Sequence, residues 1–174
     1  MEGNGLNSHR QQQLYWNQMI ELKVAASYMR FYRDDIGTWV TRLAILKAVA
    51  SSGSIAGWVV WTEYAFIWGA IIAASQLADA LRDVFPFTRT HKAASELAVV
   101  LGSMFIDAQL EWENIFSGRH TDDQIMNRRY KLTKLQHATE QKSFPHGLPL
   151  KKSLFEAAQA EATGYFAATY GVVQ

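Results

Sequence analysis

Between Leu43 and Leu81 the chain carries two apolar blocks with only Thr62 and Glu63 between them. The first, LAILKAVASSGSIAGWVVW (43–61), has Lys47 as its single charge. The second, YAFIWGAIIAASQLADAL (64–81), has Asp79. As helices they span roughly 28 Å and roughly 27 Å, close to the ~30 Å hydrocarbon thickness of a bilayer. A two-residue connection forces them antiparallel. The segment therefore predicts a helical hairpin that either crosses a membrane or forms the buried centre of a soluble bundle.

Several features favour the membrane. Trp58, Trp61, Tyr64 and Trp68 gather at the turn, where amphipathic rings prefer the headgroup interface. Arg10, Lys23, Arg30, Arg33 and Arg42 precede the hairpin, Arg82, Arg89 and Lys92 follow it, and the turn has no base. The positive-inside rule then puts both termini in the cytoplasm. Reflection about Glu63 brings Lys47 to the depth of Asp79 and Ser51 to that of Ser75. Lys47, Ser51, Ser54 and Trp58 share one helical face, and Gln76, Asp79 and Asp83 share another. Lipid cannot satisfy such groups, so Lys47, Ser51, Ser54, Ser75, Gln76 and Asp79 are expected to pack within the hairpin or line a pore. A central Lys or Asp costs about 2.5–3.5 kcal/mol against gains of about 0.3–0.6 kcal/mol per Leu, Ile, Val or Phe. Each helix alone is marginal, and insertion as a pair is expected.

The flanks read as further helices. Residues 10–42 form an amphipathic helix with Leu14, Met19, Leu22, Ala26 and Met29 on one stripe. The region 91–174 is expected to be a cytoplasmic helical region. Its long helix, 91–116, aligns Leu97, Leu101, Met104, Phe105, Ala108, Trp112 and Ile115. Ser117-Gly118 closes that helix, and Thr121 with Gln124 makes a capping box for the next, about 122–142. SFPHGLPLK is a loop by its Pro and Gly content. A final helix aligns Leu154, Ala158, Ala162, Tyr165 and Thr169. The prediction is an all-α single domain over 1–174, with a transmembrane hairpin between an N-terminal amphipathic helix and cytoplasmic C-terminal helices.

Composition limits the chemistry. Seventeen basic against sixteen acidic residues leave a net charge of +1, which argues against direct nucleic-acid binding. Cysteine is absent, which removes thiolate nucleophiles and Cys-based zinc sites. The start, MEGNGLNSHRQQQ, lacks an apolar run, so a cleaved secretory signal is not expected. The five histidines are scattered, and HTDDQ (120–124) reads as a loop and helix cap rather than a metal site. No phosphate-binding glycine loop or nucleophile elbow occurs. No enzyme, metal or cofactor is expected. The basic run NRRYKLTK places Arg128, Arg129, Lys131 and Lys134 on one helix. They are either a solvated face or a contact for an anion or a partner.

One family shares this order of elements. An amphipathic helix leads into YRDDIGTWVTRLAILKAVASSGSIAGWVVW, a very short turn and a second span. A long helix then ends LEWENIFSGRHTDDQIMNRRYKLTKL, with a W-x-x-I-F-x-G segment at 112–118. Over roughly residues 12–172 the chain resembles the SLATT superfamily, two-transmembrane effector domains of bacterial nucleotide-signalling conflict systems. The resemblance implies an oligomeric effector that forms pores or disrupts the inner membrane in antiviral, abortive-infection defence. It brings no catalytic residues. With no sensor domain in the sequence, the trigger is expected from a separate nucleotide-synthesising or nucleotide-sensing partner. The alternative is a soluble or peripheral all-α interaction module without pore activity.

Overall fold

No proline interrupts the first helix, and α1 runs unbroken over Glu2–Val60. The computed structural model describes residues 2–60, 66, 69, 70, 73, 76 and 87–171, with side chains described at 9–45, 48, the five isolated positions and 88–171. Among these residues the protein is all-helical. After α1 come α2 (Phe87–Phe116), α3 (Asp122–Ser143) and α4 (Lys152–Tyr170). The separate helices expected at 10–42 and 43–61 are one element. Gly37, five residues before that boundary, keeps its helical backbone, because a lone glycine weakens a helix without ending it. The remainder of the hairpin, including its turn and the second block, falls mostly outside the described residues.

The chain divides into two compact units, Met1–Arg33 with Ala93–Gln174, and Asp34–Lys92. The first unit has a core built from helical stripes. Tyr15, Met19, Leu22, Tyr28, Met29 and Tyr32 of α1 are buried. So are Ala94, Leu97, Leu101, Met104, Phe105, Ala108 and Ile115 of α2, Ile125 of α3, and Ala158, Ala162 and Phe166 of α4. Spacings of three, four and seven put each set on one side of its helix, so the four helices exclude water together.

The helix ends follow local chemistry. At the end of α2, Gly118 takes φ 73° and donates its N–H to Ile115 O (3.0 Å), while the Arg119 N–H reaches Asn114 O (3.1 Å). Only glycine adopts that left-handed backbone without a steric cost. Thr121 caps α3: its N–H donates to Gln124 Oε1 at 3.0 Å, and Asp122 and Asp123 in the first turn complement the helix dipole. Gly171, at φ 67°, ends α4 by donating to Ala167 O.

In the second unit the two ends of the segment lie side by side. A Cβ placed on Gly37 of α1 would stand 3.3 Å from His91 Nε2 of α2. The chain therefore leaves at residue 37 and returns at residue 91.

Leu101 is fully buried, whereas Leu150 in the α3–α4 loop is 73% exposed. Leu101→Ala is expected to cost about 2–5 kcal/mol of unfolding free energy through its cavity. Leu150→Ala should stay within about 0.5 kcal/mol. Chemical denaturation followed by circular dichroism measures both.

Candidate functional site

The polar groups expected to line or pack the hairpin divide by position. Lys47, Ser51, Ser54 and Trp58 lie on the backbone of α1, with side chains outside the description. Gln76 is helical and exposed. Trp61, Tyr64, Trp68, Ser75 and Asp79 lie outside the described residues. The described residues bring together two other polar assemblies, both in the first unit.

The first joins α1 to α4. Lys23, Ser27 and Arg30 succeed one another at helical spacing on α1 and converge on Glu161. Ser27 Oγ donates to Glu161 Oε1 at 2.9 Å, Arg30 reaches Oε2, and Lys23 Nζ stands 3.6 Å from Oε1. Lys23 also lies over the rings of Tyr165 (4.5 Å) and Phe105 (5.2 Å). Three donors around a half-buried carboxylate compensate its lost hydration, and the ring faces add attraction for the ammonium. Next to Ser27 on α1, the Tyr28 hydroxyl donates to Pro149 O and accepts from the Lys151 N–H (3.0 Å). That hydroxyl ties the α3–α4 loop to α1 and satisfies two of its backbone groups.

The second assembly lies where the end of α2 and the start of α3 face α1. Glu111 Oε1 is 2.6 Å from His120 Nε2 and 2.8 Å from Arg128 Nε. Neither contact has hydrogen-bond alignment, so the attraction between the Arg128 guanidinium and the Glu111 carboxylate, rather than directional bonding, holds the group. Tyr15 packs beside it against Ile115, Ile125 and Trp112, and its hydroxyl donates to Ala108 O at 3.3 Å. Burial drives the Tyr15 phenol well above the ordinary tyrosine range; the Glu111 carboxylate adds to the rise and Arg128 opposes it. His120, read from sequence as part of a loop and cap, thus has a further structural partner in Glu111.

The basic run of α3 faces two ways. Arg128 serves Glu111, and Arg129 is half-buried with its Nε shielded from solvent. Lys131 and Lys134 are exposed. They are the residues of the run left available for a partner. The C-terminal aromatics pack as bundle core: Trp16 of α1 meets Phe166 and Tyr170 of α4 and Trp112 of α2 at ring-centroid distances of 5.1, 5.0 and 4.9 Å. Beside them, Trp16, Ile20, Val24, Gln159, Ala162, Thr163 and Phe166 line a shallow groove of about 110 Å³. That volume is well below the ~300–1,000 Å³ of small-molecule sites. Among the described residues no group of three His, Cys, Asp or Glu side chains converges to hold a metal ion.

The feature that pattern reading misses is the outer side of α2. Its core stripe accounts for only part of its apolar surface, since Val99, Ile106, Leu110 and Phe116 are exposed. Thr88–Phe116 is also the one helix among the described residues long and apolar enough to cross a membrane, with a third of its most apolar stretch buried. The sequence reading places this helix in the cytoplasmic region.

Replacing Glu161 with Ala removes the common acceptor of Lys23, Ser27 and Arg30 and should cost about 1–3 kcal/mol. Glu156→Ala, which breaks only the exposed Lys152–Glu156 pair (3.7 Å), should cost under about 0.5 kcal/mol. Denaturant titration separates the two. The Tyr15 shift gives a pH dependence with a fixed sign. The unfolded chain releases this proton near pH ~10 while the folded chain retains it, so stability falls as pH rises above that value. Tyr15→Phe should flatten that part of the stability profile above pH ~10, read by denaturation across an alkaline pH series.

Comparison with known protein families, with characterised proteins and with solved structures finds no match to the chain.

Proposed function

We propose that the protein is an oligomeric effector of the bacterial inner membrane that forms pores or breaches the bilayer in antiviral defence. The observation that carries this reading is the meeting of Gly37 and His91. From a common base the chain departs along α1, whose helix continues to Val60, and returns at α2. The stretch Leu43–Val60 alone rises roughly 26 Å, close to a bilayer's ~30 Å core. Departure and return at one base suit an antiparallel hairpin of two spans, with its aromatic turn at the far interface and its basic flanks on the near side. The termini and the first unit then lie in the cytoplasm.

One hairpin cannot enclose a channel, so several copies assemble. Their polar faces, with Ser51, Ser54 and Gln76, meet around a wetted path, because lipid leaves such groups unsatisfied. The resemblance to SLATT domains supports the same assignment and suggests a nucleotide-signalling partner as the trigger. A second reading, a peripheral interaction module, draws on the first unit's own buried core and on the apolar outer side of α2.

Expression at high level, or with its trigger, should depolarise the membrane and arrest growth without degrading nucleic acid or lipid. The triple substitution of Ser51, Ser54 and Gln76 by Leu should keep the protein in the carbonate-resistant membrane fraction while abolishing depolarisation. A triple variant as toxic as the parent, or release of the parent protein by carbonate, refutes the pore reading and leaves the interaction module.

A further inference from the structure

The outer sides of α2 and α3 differ in charge and share an apolar character. On α2, Val99, Ile106 and Leu110 are exposed at spacings of seven and four, with exposed Asp107 and Glu113 on the same side. From Ala93 to Phe116 this helix carries no Lys or Arg. On α3, Met126 and Tyr130 are exposed four residues apart, with exposed Lys134 one turn further on and exposed Lys131 beside it. Asp107, Glu113, Lys131 and Lys134 have no ion-pair partner among the described residues.

We infer that the acidic, apolar face of α2 docks against the basic, apolar face of α3 of a second copy of this chain. Both faces belong to the same unit of one chain, yet they are different patches, so the contact is head-to-tail. Each copy offers one donor face and one acceptor face, and repetition about an axis closes a ring. A symmetric α2–α2 contact would instead bring Asp107 and Glu113 of one copy towards carboxylates of the next. An α3–α3 contact would oppose lysines. Lipid is a poorer occupant of the α2 face, since Asp107 and Glu113 would face hydrocarbon uncompensated. Against α3, the lysines neutralise them at the rim while Ile106 and Leu110 meet Met126 and Tyr130. The α2 face from Val99 to Glu113 rises about 21 Å, enough to cover the roughly 12 Å from Met126 to Lys134.

The inference rests on the oligomeric part of the proposed function but not on pore activity, and charge reversal tests it on the full-length protein in mild detergent. Chains carrying Asp107→Lys with Glu113→Lys, or Lys131→Glu with Lys134→Glu, are each expected to sediment as monomers. Mixed together, they should restore the parent's oligomer, because each supplies the face complementary to the other. The substituted positions are exposed, and circular dichroism checks that the fold is kept. An independent, uncharged readout uses the absence of native cysteine. Ile106→Cys and Tyr130→Cys chains, mixed and oxidised, should give mainly the mixed disulfide. Parent-like assembly of the Lys131→Glu/Lys134→Glu chain alone, a dominant homodimer of the Ile106→Cys chain, or a monomeric parent protein overturns the inference. Mixed disulfide with sealed liposomes leaves the interface and removes the pore. Leaking liposomes together with disulfide homodimers of the Ile106→Cys chain do the reverse.

Discussion

Burial of one side of α1 between Tyr15 and Tyr32 is the contact on which the first unit depends. That stretch meets every other helix of the unit. Tyr15 reaches α2 through Ala108 O, Gln18 donates to Gln136 of α3 at 3.0 Å, and Ser27 donates to Glu161 of α4. Met19, Leu22 and Met29, all fully buried, fill the space between these polar ties. The apolar residues supply most of the driving force, since it scales with the area removed from water. The polar ties fix the rotation of α1: turning it by one residue would pull Tyr28 from Pro149 and Ser27 from Glu161 together.

The role of α2 follows from its two apolar sides. Leu97, Leu101 and Phe105 belong to the core, and Val99, Ile106 and Leu110 point away from it. Exposed apolar residues gathered on one side of a helix mark a surface for contact, with protein or with lipid. The polar clusters at Glu161 and Glu111 are internal ties, whereas this outer side is where a covering surface has still to be supplied. Lys131 and Lys134 on the neighbouring α3 carry the charge that such a surface needs.

Much of the helical pattern is legible in the sequence. The α2 stripe of Leu97, Leu101, Met104, Phe105, Ala108 and Ile115 follows from spacing alone, as does the start of α3 at Thr121. Three things are not legible. The continuity of α1 across residues 42 and 43 is hidden because a change from amphipathic to wholly apolar composition resembles a boundary. The Glu161 cluster is hidden because Arg30 and Glu161 lie 131 positions apart, and local spacing carries no record of such a pair. The outer side of α2 is hidden because Val99 and Leu110 are chemically the same as core residues, and periodicity does not say how many sides of a helix are covered. Of the expected hairpin polar groups, only Gln76 has a described side chain.

The ties of α1 all reach far along the chain. Its bonds to Ala108, Pro149 and Glu161 span 93, 121 and 131–134 positions. During synthesis α1 and the apolar stretch 43–81 emerge first, and the core side of α1 waits for α4 before its last contacts can form. Closing a loop this long carries an entropic cost that only the completed four-helix core offsets. The order of events is therefore built into the connectivity. The apolar stretch is synthesised while Met19, Leu22 and Met29 are still uncovered, and the first unit closes only afterwards.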